Sequence, residues 1–212
     1  MESQVRGGTR WKRFALVMVP SVAATAAVGI GLAQGALAAS FSVSGQQFKV
    51  KAERLEGEGF AQYGGMEMVY ESIEGGKKVP RPVAISSFDT AKITKMCQSV
   101  KTEIPLIGKS VYLRLEAGPD ERHKVEATNL YIDVAQLKAD ATFEDIDIGV
   151  AAGDLTRGPD VKDDVKQGAF AQQARKADLR GVEQTAWATS AGTFKLSGLN
   201  MRLGMDPKME CF

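Results

Sequence analysis

Period-two alternation of apolar and polar residues runs through most of this chain and restricts it to half-buried antiparallel strands. Phe48-Lys49-Val50-Lys51-Ala52, Val111-Tyr112-Leu113-Arg114-Leu115 and Leu130-Tyr131-Ile132-Asp133-Val134 all read this way. So do Ile146-Asp147-Ile148-Gly149-Val150, Phe194-Lys195-Leu196 and Leu199-Asn200-Met201-Arg202-Leu203, while Phe41-Ser42-Val43 opens the series. Successive side chains of a strand point to opposite faces, so each run carries one oily and one wet face. The expectation is an all-β domain.

Glycine-bearing turns separate the runs, at Gly57, Gly59, Gly64-Gly65, Gly75-Gly76, Gly108, Gly118-Pro119, Gly158-Pro159 and Gly198. Gly75 to Pro82 reads as an exposed loop, and so does the charged stretch from Gly153 to about Gly168. Asp160–Lys176 has poor helical spacing and is interrupted by Gly168, so a helix there is disfavoured. Small residues precede several strand-like runs at uneven intervals, as at Ala52, Ala91, Ala127 and Ala177. An elongated β-roll or β-solenoid-like sheet would produce such echoes, and a β-sandwich is the alternative.

The first 39 residues read as an export signal. Arg6, Arg10, Lys12 and Arg13 form a positive start, Phe14 to Ala39 carries no charge, and Ala36-Leu37-Ala38 is a small-x-small cleavage site. The uncharged run is also long enough to span a bilayer as a helix, so an uncleaved N-terminal anchor is the competing reading. Either way, residues 40–212 are expected as one β-rich domain, secreted or held at the cell envelope.

The chain has 27 Lys+Arg and 26 Asp+Glu. The leader holds four of the basic residues and one acidic residue, which leaves residues 40–212 with 23 basic and 25 acidic side chains, a net charge near −2. That balance gives no electrostatic reason to bind nucleic acid, so any lipid contact would be made through apolar surface. Two cysteines, Cys97 and Cys211, both follow the leader. An even count in an oxidising compartment predicts a disulfide between them, with two buried free thiols as the alternative. One histidine and two distant cysteines do not make a zinc-ligand spacing, and no motif calls for a metal or cofactor.

Catalytic signals are sparse. No Gly-x-Ser-x-Gly is present; the nearest match is Ala188-Thr189-Ser190-Ala191-Gly192, which continues into a strand where a nucleophile elbow requires a helix. His123, the only histidine, lies in the charged turn Gly118–Lys124 and would be the general base of any serine hydrolase here. The chain order His123, Asp147, Ser190 is allowed on a β scaffold, because triads are defined by geometry. The bland readings are a solvated loop histidine, a turn serine and an aspartate on the wet face of a sheet. Trp187, Phe194, Leu196, Leu199, Met201, Leu203 and Met205 form an apolar stretch that reads either as core or as a trough for a hydrophobic ligand.

Several longer strings carry a resemblance: Arg10-Trp11-Lys12-Arg13-Phe14, Phe41 to Gln46, Met96-Cys97-Gln98-Ser99-Val100, Ala127 to Gly149 and Gln184 to Phe194. On these the chain resembles a small secreted family of Streptomyces and related actinobacteria whose members carry the name cholesterol esterase. The resemblance implies extracellular hydrolysis of sterol esters to free sterol and fatty acid. Ser190 would then attack the ester carbonyl, His123 would accept its proton, Asp147 would orient the imidazole, and backbone N–H groups near Ala191 and Gly192 would hold the oxyanion. The competing expectation is a non-catalytic, envelope-associated β module that binds lipid.

Overall fold

In a computed structural model, residues 45–72, 75–104, 108–161 and 165–212 are described. The stretch expected to be an export leader or an anchor lies outside the described residues. The rest belongs to one compact unit, Ser42–Phe212. The domain is all-β, as the alternation requires, and no helix among the described residues is long and apolar enough to cross a membrane.

Nine strands make one antiparallel sheet: β1 (Phe48–Ser72), β2 (Gly75–Thr94), β3 (Met96–Ile104), β4 (Lys109–Ala117), β5 (Val125–Glu144), β6 (Asp147–Ala151), β7 (Phe170–Ser190), β8 (Thr193–Lys195) and β9 (Asn200–Gly204). Four of them are long, and their pairings close a circuit. β1 pairs with β2 from Arg54 opposite Thr94 onward, and β2 pairs with β5 from Ala84 opposite Val134 to Ile93 opposite Val125. β5 pairs with β7, and β7 returns to β1 with Phe48 opposite Ala186 and Ala52 opposite Val182. The sheet is thus rolled on itself, which satisfies the backbone groups of these strands and removes open edges along the closed part.

The roll is filled from within. Leu55, Phe60, Phe88, Leu130, Ile132 and Val182 are all buried in one cluster, and the Phe60 ring lies 5.3 Å from Phe88 and 5.1 Å from Phe143. Aromatic pairs at such separations add to simple burial. A smaller cluster around Tyr63, Val83, Ile85 and Ala171 packs the far half of the β1–β2 hairpin against the segment following β6. Outside the roll, Arg54 ties β1 to β7 by donating to both carboxylate oxygens of Asp178, at 2.9 and 2.7 Å.

The stretch Gly75–Pro82, expected as a loop, is the first part of β2. Pro80 lies opposite Met68 and Pro82 opposite Met66. Proline has no N–H to give to a ladder, and it is tolerated here because the outer edge of β2 has no partner before Ala84. The segment is exposed, as a loop would be, but it is extended and paired.

β3, β4 and β9 leave the roll as a wing. β2 ends at Thr94, Lys95 follows with a left-handed backbone (φ 49°), and the same ribbon resumes as β3 alongside the start of β1. The register then sets two rows of side chains on one face: Phe48, Val100, Leu113 and Leu203, and beside them Val50, Gln98, Leu115 and Met201. The opposite face is covered by the segment after β9. Cys211 is bonded to Cys97, its N–H donates to Ser99 Oγ at 3.1 Å, and Arg114 donates to the carbonyls of Met209 and Glu210 at 3.3 and 3.2 Å. The disulfide expected from the export reading is therefore present and closes one side of the wing.

Candidate functional site

The three residues proposed from the sequence for hydrolysis lie on separate parts of the fold. Ser190 ends β7, opposite Tyr131 of β5, and a two-residue turn leads on to β8. His123 sits in the β4–β5 turn with a side chain 62% exposed, its Nδ1 3.0 Å from Asp120 Oδ1. From Val125, where β5 begins, to Tyr131 the strand climbs about 20 Å at its usual rise. Asp147 opens β6 opposite Gln173, at the end of β7 remote from Ser190. It accepts a hydrogen bond from Gln173 Nε2 at 3.1 Å and faces Arg157 at 3.5 Å. Among the described residues none of the three hydrogen-bonds another.

The local electrostatics agree with ordinary surface roles. The hydrogen bond from His123, with help from the Arg122 backbone N–H, holds the Asp120 carboxyl below its usual value. Asp133, expected on a wet strand face, is instead 2% exposed. No group of three or more His, Cys, Asp or Glu is arranged to hold a metal among the described residues.

The apolar stretch singled out near residues 187–205 divides in the structure. Leu196 packs against the main core and Trp187 against the smaller cluster. Leu199, Met201, Leu203 and Met205 do not pack inward: they are 49, 63, 72 and 56% exposed. Through the register just given, Met201 and Leu203 share their face with Val100, Leu113 and Leu115, all half-buried. The result is a largely apolar face on the wing, with Gln98 its one polar position, that grows more exposed toward β9 and lies back to back with the face that the disulfide-bonded tail closes.

A second feature was not legible from motifs. Inside the roll, between Phe60, Phe88, Phe143 and Leu179, lies a cavity of about 170 Å³. Its wall on β5 is made by Leu137, Ala139 and Ala141, where the β5–β7 register slips between Val134 and Gln136 and again between Lys138 and Asp140. Gln62, Ser86 and Gln184 bring polar groups to the lining. Two of these are already engaged, with Gln172 Nε2 donating to Gln62 Oε1 at 2.6 Å and Gln62 Nε2 to Ser86 Oγ at 2.8 Å. The sequence signal for the third would have been a polar residue at an inward position of the alternation Val182–Gln184–Ala186.

A larger groove of about 710 Å³ runs past the disulfide between Lys51, Glu53, Arg114 and Asn200. A third hollow, about 660 Å³, lies over the Arg54–Asp178 pair and is lined by nearly balanced charges. Most of these charges pair with one another: Lys124 contacts Glu56 at 2.5 Å, Arg54 contacts Glu56 at 3.0 Å, and Arg180 contacts Asp178 at 3.5 Å. Neither hollow carries a marked excess of one charge.

No curated protein and no solved structure matches the chain. A family model does match, over residues 44–212, which is the whole rolled sheet with its wing. The chain belongs to the family of unknown function DUF6230.

Proposed function

We propose that this domain is a non-catalytic lipid-binding β module of the cell envelope. The observation that carries the reading is the uncovered apolar face of the wing, centred on Met201 and Leu203. Monomeric soluble domains rarely leave contiguous apolar faces open, and those that do use them for contact. Burying Leu199, Met201, Leu203 and Met205 would withdraw the equivalent of a little over two whole side chains from water. At 1.5–3 kcal/mol per side chain that is about 4–7 kcal/mol, enough for reversible association with a lipid surface. The near-neutral charge balance fits contact by apolar surface, and the uncharged run at residues 14–39 supports an exported or envelope location.

Sterol ester hydrolysis, implied by the family resemblance, has no comparable support in the geometry. A serine hydrolase requires nucleophile and base within hydrogen-bond reach, and Ser190 and His123 make no such contact. The 170 Å³ cavity is also below the ordinary range for sites that enclose a whole small ligand, about 300–1,000 Å³.

Flotation of the exported protein with neutral phosphatidylcholine vesicles tests the reading. The wild type should partition onto vesicles with little dependence on salt. Met201→Ser with Leu203→Ser removes about 2–4 kcal/mol of burial and should weaken partition roughly 30- to 1,000-fold. Failure of the wild type to bind, or an unaffected double variant, would overturn the proposal. Release of cholesterol from cholesteryl oleate, abolished by Ser190→Ala, would establish hydrolysis instead.

A further inference from the structure

We infer that the cavity inside the roll is a binding site for a neutral alkyl or acyl chain carrying one uncharged oxygen, a hydroxyl or an ester carbonyl, which meets Gln184. This names the ligand chemistry of an interior site distinct from the wing, and it stands or falls separately from vesicle binding.

Gln184 is the anchor of the argument. It is 6% exposed, it lines the cavity, and among the described residues its side-chain amide makes no hydrogen bond. Buried amides are ordinarily paired, because an unpaired one has lost its water without replacement. No side-chain polar atom among the described residues is completely sealed off without a partner, so the Gln184 amide keeps a little accessibility, and the cavity is the space it lines. An amide in that position offers both a donor and an acceptor to whatever enters. Its two polar neighbours are engaged elsewhere: Gln62 and Ser86 are joined to each other and to Gln172.

The remaining lining sets the rest of the ligand. Phe60, Phe88, Ile132, Phe143 and Leu179 present an apolar wall. No charged residue lines the cavity, so a carboxylate or ammonium entering it would be desolvated without a counter-ion. The volume of about 170 Å³ slightly exceeds the 150 Å³ of an apolar cavity that takes up benzene. It therefore accepts a single ring or roughly six to eight carbon atoms of a chain, and the remainder of a longer lipid would emerge at the rim. The rim is fixed by register: Leu137, 38% exposed, lies directly opposite Gln184 on β5. A chain seated among the phenylalanines thus has its oxygen beside the amide and its continuation beside Leu137. Ala139 and Ala141 on the same strand face leave the space that larger residues would fill.

The test is titration of the full exported protein with 1-octanol, octanoate and octylammonium at pH 7, followed by methyl and side-chain amide NMR. Octanol should shift the Gln184 amide together with the Leu179 and Ala139 methyls, and bind at least tenfold more tightly than either charged analogue. Gln184→Leu should weaken octanol about tenfold, and Ala141→Leu, at an exposed rim position, should block entry. Met201→Ser with Leu203→Ser should leave octanol binding unchanged. Equal or tighter binding of octanoate, shifts confined to the surface, or full octanol affinity in Gln184→Leu would overturn the assignment. The comparison of the three ligands on the wild type decides the matter even if a variant fails to fold.

Discussion

Cutting the Cys97–Cys211 bond should loosen the wing far more than the roll. The bond spans 114 residues of sequence. In the chain-entropy model a closed loop of that size lowers the freedom of the unfolded chain by about 5 kcal/mol. For a domain of this size each kcal/mol corresponds to about 2–4 °C, so Cys97→Ala with Cys211→Ala should lower Tm by about 10–20 °C. The location of the loss is more telling than its size. The tail that the bond holds is otherwise fixed by few contacts: Cys211 N–H to Ser99, Arg114 to two carbonyls, and Lys49 to Glu210 at 3.1 Å and to the Phe212 carbonyl oxygen at 2.9 Å. Tyr112, 6% exposed, lies on the face this tail covers. With the tail released, the wing has no cover on either face.

Hydrogen exchange read residue by residue, with thermal melts of the oxidised, reduced and double-variant protein, checks this. Amides of β3, β4 and β9 should lose protection by orders of magnitude while those of β2 and β5 retain theirs at temperatures well below the melt. A Tm change under about 3 °C, or a uniform loss of protection across the sheet, would refute the reasoning. The first outcome would mean that the tail is held by its other contacts. The second would mean that roll and wing open as one cooperative unit.

Two further substitutions probe the frame. Gly118 has φ +67°, its N–H donates to the Ser197 carbonyl at 2.8 Å, and a Cβ there would stand 2.7 Å from the Ile93 carbonyl oxygen; Gly118→Ala should cost at least about 2 kcal/mol in urea unfolding. The Arg54 guanidinium holds the Asp178 carboxyl below its ordinary value. Its contribution is therefore present above the unfolded-state value and is lost as pH falls through the lower folded-state value. Asp178→Asn should be less stable than wild type near neutrality, with the gap closing in acid; a gap that persists there would refute the linkage.

Element type was legible in the sequence because alternation is a local signal; element length and partnership were not. The runs at Phe48–Ala52, Val111–Leu115 and Leu130–Val134 fall within strands, and Leu199–Leu203 does so from Asn200 onward. β1 reaches 25 residues, but Gly59 at φ +60° and the Met66–Met68 stretch break its period, so only its start announces itself. β7 announces itself only in part: a strand-like run is legible from Ala177, whereas the strand starts at Phe170 and the charges of Arg175, Lys176, Asp178 and Arg180 obscure its length although Ala177 and Leu179 between them are buried. The disulfide was legible because an even cysteine count, together with the expectation of export, predicts it without geometry. The three candidate catalytic residues were chosen by chain order and residue type. Their separation follows from the β5–β7 and β6–β7 registers, which long-range pairing sets and no local pattern announces. Gln184 escaped notice for a related reason: a polar residue in an alternating run looks like the wet face until the register shows which way it points.

The register also bears on the proposed role of the wing's apolar face. The row that begins inside the roll at Ala186 and Phe48 continues without a break through Val100, Leu113 and Leu203. Near the roll, apolar residues are required: Ala186 is fully buried and Val50, in the adjacent row, is 8% exposed. That requirement fades with each strand outward. At β9, where Leu203 is 72% and Met201 63% exposed, serine or threonine would serve the fold as well, because little is buried there to lose. The neighbouring position on the other face is occupied by Arg202, whose guanidinium pairs with Glu116 at 3.0 Å, so the edge strand readily carries charge. An exposed, apolar edge strand is a liability for aggregation, and folding of the roll gives no reason for one. The proposed lipid contact would give such a strand its reason, and the near-zero charge of the domain fits contact through apolar surface.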